Sequence, residues 1–289
     1  MSPSGSRDVR LLRVDAAART DAHDVVAVEE PMEVRVNGAP FAVIMRTPGA
    51  DRELAAGFLL AEDVIRGSDE IAMIEYCEQD QGSGTRAPGS GTAEPETSKR
   101  EQNTLNVTVI GDAIDRLDAR LSDRRQVMMT ASCGLCGRRT IDSLRARVPS
   151  VTGHWTISAE ILRGLPAKLR DAQRVFETTG GLHAAGLFAL DGTLLVSAED
   201  VGRHNAVDKV VGRRLLEDAL PLDQTLLVVS GRTSFELVQK ALLAGVPLIA
   251  AVSAPSSLAI ELAQEANVTL CGFLRGETFN IYAHAQRVT

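Results

Sequence analysis

The chain is poor in aromatic residues: one Trp, two Tyr and seven Phe make up 3% of its 289 residues. With 44% hydrophobic residues, a sizeable core is expected, built largely from Leu, Val, Ile and Ala, and bulk disorder is excluded. No apolar run approaches the ~18 residues of a membrane-spanning helix. The segment from Met1 to Arg10 is polar and lacks an apolar stretch of the signal-peptide kind. The expectation is therefore a cytoplasmic protein without a membrane partner. Basic residues are also in deficit, 31 against 38 acidic ones, giving a formal net charge of −7. That balance argues against general nucleic-acid or anionic-membrane binding. It leaves room for a local basic pocket. Cysteine is sparse: Cys77, Cys133, Cys136 and Cys271. In a reducing compartment a disulfide framework is not expected, and a close pair reads as metal-binding or reactive.

The length suits one or two domains. Residues 1–24 read as a frayed N-terminal segment. Val25–Val28, Met32–Val36 and Phe41–Met45 read as strands, with Asn37-Gly38 as a type I′ hairpin turn. Asp51 is expected to cap a helix running to about Glu62. Ile71–Cys77 and Thr104–Ile110 read as strands around a disordered loop at 78–103, and Ala113–Arg120 as a short helix. Together 25–125 make an N-terminal α+β part. A mobile loop at 126–139 carries Cys133 and Cys136. Beyond it, 140–289 reads as an α/β domain. Helices are expected at Thr140–Val148 and Ser158–Arg170, the latter capped by Ser158, then a hairpin over Asp191-Gly192. A β-α-β-α-β alternation follows, from Thr225 to Phe273, with helices at Asn205–Leu216, Ser234–Ala244 and Ser256–Ala266, implying a parallel, helix-covered sheet.

Cys133-Gly134-Leu135-Cys136 holds two thiols three positions apart, followed at once by Arg138 and Arg139. Cationic neighbours favour thiolate, the nucleophilic form. The pattern suits thiol–disulfide exchange or persulfide transfer, in which one sulfur attacks and the other resolves. Half a zinc site, a thioredoxin-like redox pair and an inert structural pair remain open at this level.

Asp200 to Lys209 follows a strand and opens a helix. Asp200 could cap, Gly202 permits close approach, and Arg203, His204 and Lys209 offer donors at an anion-binding helix start. Ser230-Gly231-Arg232-Thr233-Ser234 and Ser253-Ala254-Pro255-Ser256-Ser257 repeat the arrangement, forming the ligand crevice expected at the carboxyl ends of parallel strands. The stretch Phe176 to Gly186, with His183, could add a nucleotide-contacting loop. After the last strand, Arg275 offers a planar donor fork, and Phe273 or Phe279 a stacking surface. Each segment also has an ordinary structural reading as a capped helix, turn or strand.

Together, Thr130 to Gly137, Thr179 to Ala185, Asp200 to Lys209, Ser230 to Arg232 and Phe273 to Gly276 resemble the formate dehydrogenase accessory sulfur-carrier family, FdhD, over roughly residues 25 to 286. The resemblance implies a cytidine-deaminase-like C-terminal α/β domain beside a smaller mixed α+β N-terminal part, and a homodimer. It implies a sulfurtransferase that accepts persulfide sulfur from a cysteine desulfurase. The sulfur passes to the bis-molybdopterin guanine dinucleotide cofactor of molybdenum, the bound acceptor, which formate dehydrogenase requires. Cys133 is then the expected persulfide carrier and Cys136 its partner. Phe273, Leu274, Arg275, Gly276, Glu277 and Thr278 match the family's cofactor-binding stretch. Gly202, Arg203, His204, Asn205, Ser230, Gly231, Arg232 and His183 join them as expected cofactor contacts. No structural metal is expected. The rival classes are a zinc-dependent deaminase, a thiol–disulfide oxidoreductase and a non-catalytic nucleotide-binding protein. Against the first, no His lies between His23 and His154, and Cys77 is not followed by x-Glu.

Overall fold

The computed structural model describes residues 5–16, 18–77, 103–125 and 155–289. Cys133, Cys136, the expected loop at 126–139 and the expected helix Thr140–Val148 lie outside the described residues, as does the expected loop at 78–103 apart from Asn103 at its border.

The first element corrects the reading of 1–24 as frayed. β1 (Ser6–Val14) and β2 (Arg19–Ala27) form an antiparallel ribbon, in register from Ser6↔Ala27 to Val14↔Arg19. Its signal is weak because charged residues crowd both strands, and only Ser6, Val9, Leu11, Ala22, Val25 and Ala27 are partly buried. Val28 N–H donates to Gly5 O at 2.8 Å and closes the ribbon's base.

Next come β3 (Glu30–Val36), β4 (Ala39–Arg46), β5 (Ile71–Tyr76) and β6 (Thr104–Val109), in the order β4-β3-β6-β5. β3 and β6 run parallel; the outer pairings are antiparallel. Asn37 and Gly38 have φ of 51° and 80°, the two positive values that a type I′ turn needs. Alternation puts Met32, Val34, Val36, Leu105, Val107 and Val109 on one buried face.

Helix α1 (Asp51–Ala61) packs on that face, and α2 (Ala113–Arg125) adds Ala113 and Leu117 to the same core. Contrary to the expectation from sequence, Asp51 does not cap α1. The N-cap is Ala50, at φ 54°, and Asp51 is the first helical residue. The Asp51 carboxylate instead binds Arg46, taking Nε at 3.1 Å and Nη2 at 2.8 Å, with the Tyr76 hydroxyl at 3.1 Å. Arg46 is 1% exposed, and a buried guanidinium requires such a counter-charge.

The C-terminal sheet has the order β12-β11-β10-β9-β7-β8. Its strands are β7 (His183–Ala189), β8 (Leu194–Asp200), β9 (Thr225–Val229), β10 (Leu248–Ala251), β11 (Thr269–Arg275) and β12 (Thr278–Ala283). β9, β10 and β11 are parallel, as the alternation of helix and strand predicts. The β7–β8 hairpin and β12 are antiparallel additions at the two edges. Both faces are covered. Ala185, Leu187, Leu227, Val229, Ile249, Ala251 and Leu270 face α5 (Arg203–Leu216), α6 (Phe235–Leu243) and α7 (Ser257–Glu265). Ala184, Phe188, Leu226, Val228, Leu248, Ala250 and Cys271 face α3 (Ala159–Asp171). Ser158 caps α3 as predicted, its Oγ accepting from Ile161 N–H at 3.2 Å. A short α4 (Arg174–Thr179) links α3 to β7.

One hydrophobic core runs from β3 and β6 through α1 into α5, α6 and the six-stranded sheet. The N-terminal and C-terminal parts are thus mixed α/β layers of a common interior. Glycines set the α1–α5 spacing. A Cβ on Gly57 would stand 2.0 Å from Asp208 O, and one on Gly212 would stand 1.9 Å from Glu53 O. The helices touch backbone to backbone.

Candidate functional site at the carboxyl edge of the six-stranded sheet

β9, β10 and β11 end on the same edge, and the antiparallel β7 starts there. His183 opens β7, Gly202–Asn205 open α5, Ser230–Ser234 follow β9, and Val252–Ser256 follow β10. The turns are tied in sequence. Ser230 N–H donates to Ala184 O at 3.0 Å, and Ser230 Oγ accepts from Ala184 N–H at 2.9 Å. Ser256 N–H donates to Thr233 O at 2.9 Å. Arg275 Nε donates to Val252 O at 2.8 Å. This is the crevice that open α/β sheets use for ligands.

At its centre His183, Gly231 and Arg203 are packed together. A Cβ on Gly231 would lie 3.3 Å from His183 Nδ1 and 3.6 Å from Arg203 Cδ. Arg203 Nε is buried and has no hydrogen-bond partner among the described residues, and neither has Thr233 Oγ1. Buried donors are seldom left so, which makes this a place for a ligand acceptor. Beside it a cleft of about 640 Å³ is lined by Arg170, Gln173, Phe176, Gly180, His183 and Ser230, among others. The Arg170 guanidinium carbon sits 4.3 Å from the Phe176 ring centroid, so one wall is a cation stacked on an aromatic ring.

The charge pattern favours neutral imidazoles here. Burial, then the Arg203 guanidinium, lower His183 against an opposing pull from Asp200. Burial, then Lys240, Arg203 and His183, pull His204 down to about 3. His204 Nε2 lies 3.2 Å from Ser234 Oγ and 3.4 Å from Glu236 Oε2.

Several expected contacts prove to be scaffold. Lys209, read as a free donor, is 3% exposed and committed to Asp200 Oδ2 at 2.7 Å and Thr47 O at 2.8 Å. Asp200 is not the N-cap of α5; that position is Gly202, whose N–H donates to Asp200 Oδ1 at 2.8 Å. Asn205 spends its amide nitrogen on Met45 O and Asp200 Oδ1, both at 2.8 Å. These bonds fasten the start of α5 to the β4–α1 connection. Leu274 is fully buried against the α3 side of the sheet, so its side chain packs the core.

The rest of the 273–278 stretch is open. Phe273 is 40% exposed at φ 52°, a left-handed conformation rare for an aromatic residue. The Arg275 guanidinium carbon lies 5.9 Å from its ring centroid. Gly276, Glu277 and Thr278 are exposed, as is Arg232. Sequence reasoning missed Arg170, Glu236 and Lys240. Glu236 and Lys240 did leave a signal, two charges four residues apart on a largely apolar helix.

The family model described as FdhD/NarQ matches residues 27–289. The chain belongs to the FdhD/NarQ family. A sulfur carrier protein FdhD from Nocardia farcinica is 47% identical over 281 residues, covering 96% of this chain and 93% of that protein. The Mycobacterium tuberculosis protein of the same name is 45% identical, covering 98% of each chain. A crystal structure titled as a formate dehydrogenase accessory protein, from Desulfotalea psychrophila, superposes with a TM-score of 0.73 at 22% identity. It covers 98% of this chain and 99% of its own. The FdhD/NarQ match thus spans β3 to the C-terminal residue and includes every element that builds the crevice.

Proposed function

We propose that this chain is a sulfur carrier and sulfurtransferase for molybdenum-cofactor maturation, working in the cytoplasm as a homodimer on a cytidine-deaminase-like scaffold. A cysteine desulfurase supplies the sulfur. The Cys133 thiolate attacks the outer sulfur of the donor's persulfide, the donor S–S bond breaks, and the donor's inner sulfur leaves as thiolate. Cys136 is the partner thiol that can take over or release the sulfur. The substrate that receives it is the bis-molybdopterin guanine dinucleotide cofactor, which formate dehydrogenase then takes up.

The observation that carries this reading is the Arg203 Nε beside His183 and Gly231, unpaired among the described residues, in a chain whose curated relatives are named sulfur carriers. A guanine dinucleotide brings phosphates and flat bases. Arg203 and the start of α5 suit the phosphates. The Arg170–Phe176 stack and the exposed Phe273 beside Arg275 suit the bases. His183 and His204, both neutral, serve as uncharged donors or acceptors. Among the described residues no helix is long and apolar enough to cross a membrane.

The test is intact-mass analysis after the reduced protein is incubated with a cysteine desulfurase and cysteine. A gain of about 32 Da that is lost in Cys133→Ala establishes persulfide loading. No gain, under conditions that load a known acceptor, overturns the reading.

A further inference from the structure

Helix α6 is buried along most of its length and yet carries Glu236 and Lys240. They form part of a chain of titratable groups running from the crevice into the core. Glu236 Oε2 stands 3.4 Å from His204 Nε2, and Oε1 stands 3.9 Å from Lys240 Nζ. Lys240 in turn holds both oxygens of Asp208 at 2.8 Å. Around Glu236 are Lys240 on its own helix, Arg203, His204 and Asp208 on α5, and Glu62 at the end of α1. Around His204 are Glu236, Lys240, Arg203 and His183. Lys240 is shared between two carboxylates: it holds Asp208 at 2.8 Å and stands farther, 3.9 Å, from Glu236. Glu236 Oε2 faces the imidazole Nε2 at 3.4 Å, a nitrogen that also lies 3.2 Å from Ser234 Oγ. The other ring nitrogen, His204 Nδ1, makes no hydrogen bond among the described residues, and the His204 side chain is 22% exposed.

We propose that Glu236 is a positioning residue for His204, acting through Nε2 to decide which ring nitrogen carries the proton and so what Nδ1 offers to a ligand in the crevice. An ionised Glu236 accepts from Nε2–H and leaves Nδ1 a lone pair. When Glu236 takes one proton from solvent, its O–H donates to Nε2, and the imidazole carries its own proton on Nδ1. The pair thus binds one extra proton without becoming an imidazolium, and Nδ1 changes from acceptor to donor. Ser234 Oγ, a rotatable hydroxyl 3.2 Å from Nε2, suits either state. Burial first, with Asp208 and Glu62 adding to it and Lys240 opposing, pushes Glu236 up to about 7, which places the exchange near neutrality. The consequence for a ligand rests on the phosphate-bearing substrate proposed above. The state of the ring does not.

The decisive experiment is a nitrogen NMR titration of full-length protein labelled in its histidine rings, with His204→Asn used to assign the signal. In the wild type, His204 is expected to stay neutral between about pH 5 and about pH 8 and to pass from the Nδ1–H to the Nε2–H form around pH 7. In Glu236→Gln the form becomes independent of pH. An ordinary imidazolium titration of His204 in the wild type overturns the proposal without recourse to a variant. So does the same tautomer exchange in Glu236→Gln. With GDP as probe, wild-type affinity is expected to fall about threefold to tenfold relative to that of Glu236→Gln from about pH 6 to about pH 8, as one donor is lost and one negative charge gained. An identical pH dependence in both proteins overturns the ligand consequence. Absence of GDP binding at every pH overturns the nucleotide reading instead, while the titration of the free protein still decides the role of Glu236.

Discussion

At the residue scale the crevice is governed by groups whose protonation differs from that of the free amino acids. Glu236 is pushed up to about 7 from 4.5, so the folded protein holds a proton there that the unfolded chain has released. Its contribution to stability is complete below about pH 4.5 and is lost as pH rises through about 7. His204, pulled down to about 3 from 6.5, acts in the other sense: its contribution is present above about pH 6.5 and is lost as pH falls. Between about pH 4.5 and about pH 6.5 the two offset each other. Separating them should reveal opposite changes in slope. Against wild type, denaturant unfolding of Glu236→Gln should show stability falling more steeply as pH is lowered across that window, and His204→Asn should show the opposite change. Changes of the same sign in the two variants would show that the groups do not share a proton as described. The legible part of this site was the part whose residue types advertise themselves: His183, Arg203, His204 and Gly231 sit in turns dense in Gly, His and Arg. Glu236 and Arg170 acquire meaning only from tertiary neighbours, His204 and Phe176, to which no local spacing points. The same holds for Lys209 and Asn205, whose donors were legible but whose commitment to Thr47 and Met45, more than 150 positions away, was not.

At the element scale, α1 and α5 form the contact that presents Gly202, Arg203 and His204 to the crevice. Their approach is limited only by backbone at Gly57 and Gly212, where a methyl group would sit about 2 Å from a carbonyl oxygen. Neither carbonyl belongs to a flexible side chain, so the helices would have to separate. Gly57→Ala and Gly212→Ala should each cost about 3 kcal/mol or more, read as a fall in the denaturant midpoint. Gly164, on α3 with nothing near its missing Cβ, provides the contrast. Gly164→Ala should be neutral or stabilising by up to about 1 kcal/mol, because only helix propensity changes. Equal losses at all three sites would mean that the close crossing is not what Gly57 and Gly212 serve. Most elements were legible for a simple reason: where apolar periodicity met a clear stop or start, as at Asn37-Gly38, Ser158 and Gly245, the expected and observed segments agree within a few residues. The β1–β2 ribbon was not, because its strands alternate charged with weakly buried positions and leave no apolar face to count. Nor was the cap of α1, where the obvious capping residue, Asp51, is claimed by Arg46.

At the scale of the whole molecule, the division into an N-terminal α+β part and a C-terminal α/β domain describes connectivity better than it describes energetics. The four-stranded sheet buries one face on α1, and α1 lies on α5, which covers the six-stranded sheet; all contribute to a single apolar cluster. Buried polar groups cross the same boundary. Lys209 Nζ donates to Thr47 O at 2.8 Å, and Thr47 N–H donates to Asp200 Oδ2 at 3.1 Å. A chain cut to residues 140–289 would strip α1 from α5, uncovering part of the apolar cluster to which Val207, Val210 and Val211 belong, and would leave Lys209 and Asp200 short of partners. Deep apolar surface and a buried ion pair would meet water together, and losses of that kind exceed the few kcal/mol by which domains of this size are held. The intact protein should therefore melt in one cooperative transition, with the signals of Trp155 and of total helix content coinciding. The 140–289 fragment should lack that transition and bind hydrophobic dye. Two separated transitions, or a fragment that melts cooperatively by itself, would mean that the crevice is carried by an autonomous domain. The N-terminal sheet would then be an accessory. One transition places β3, β6 and α1 among the elements that hold Arg203 and His204 in position, although none of them lines the crevice.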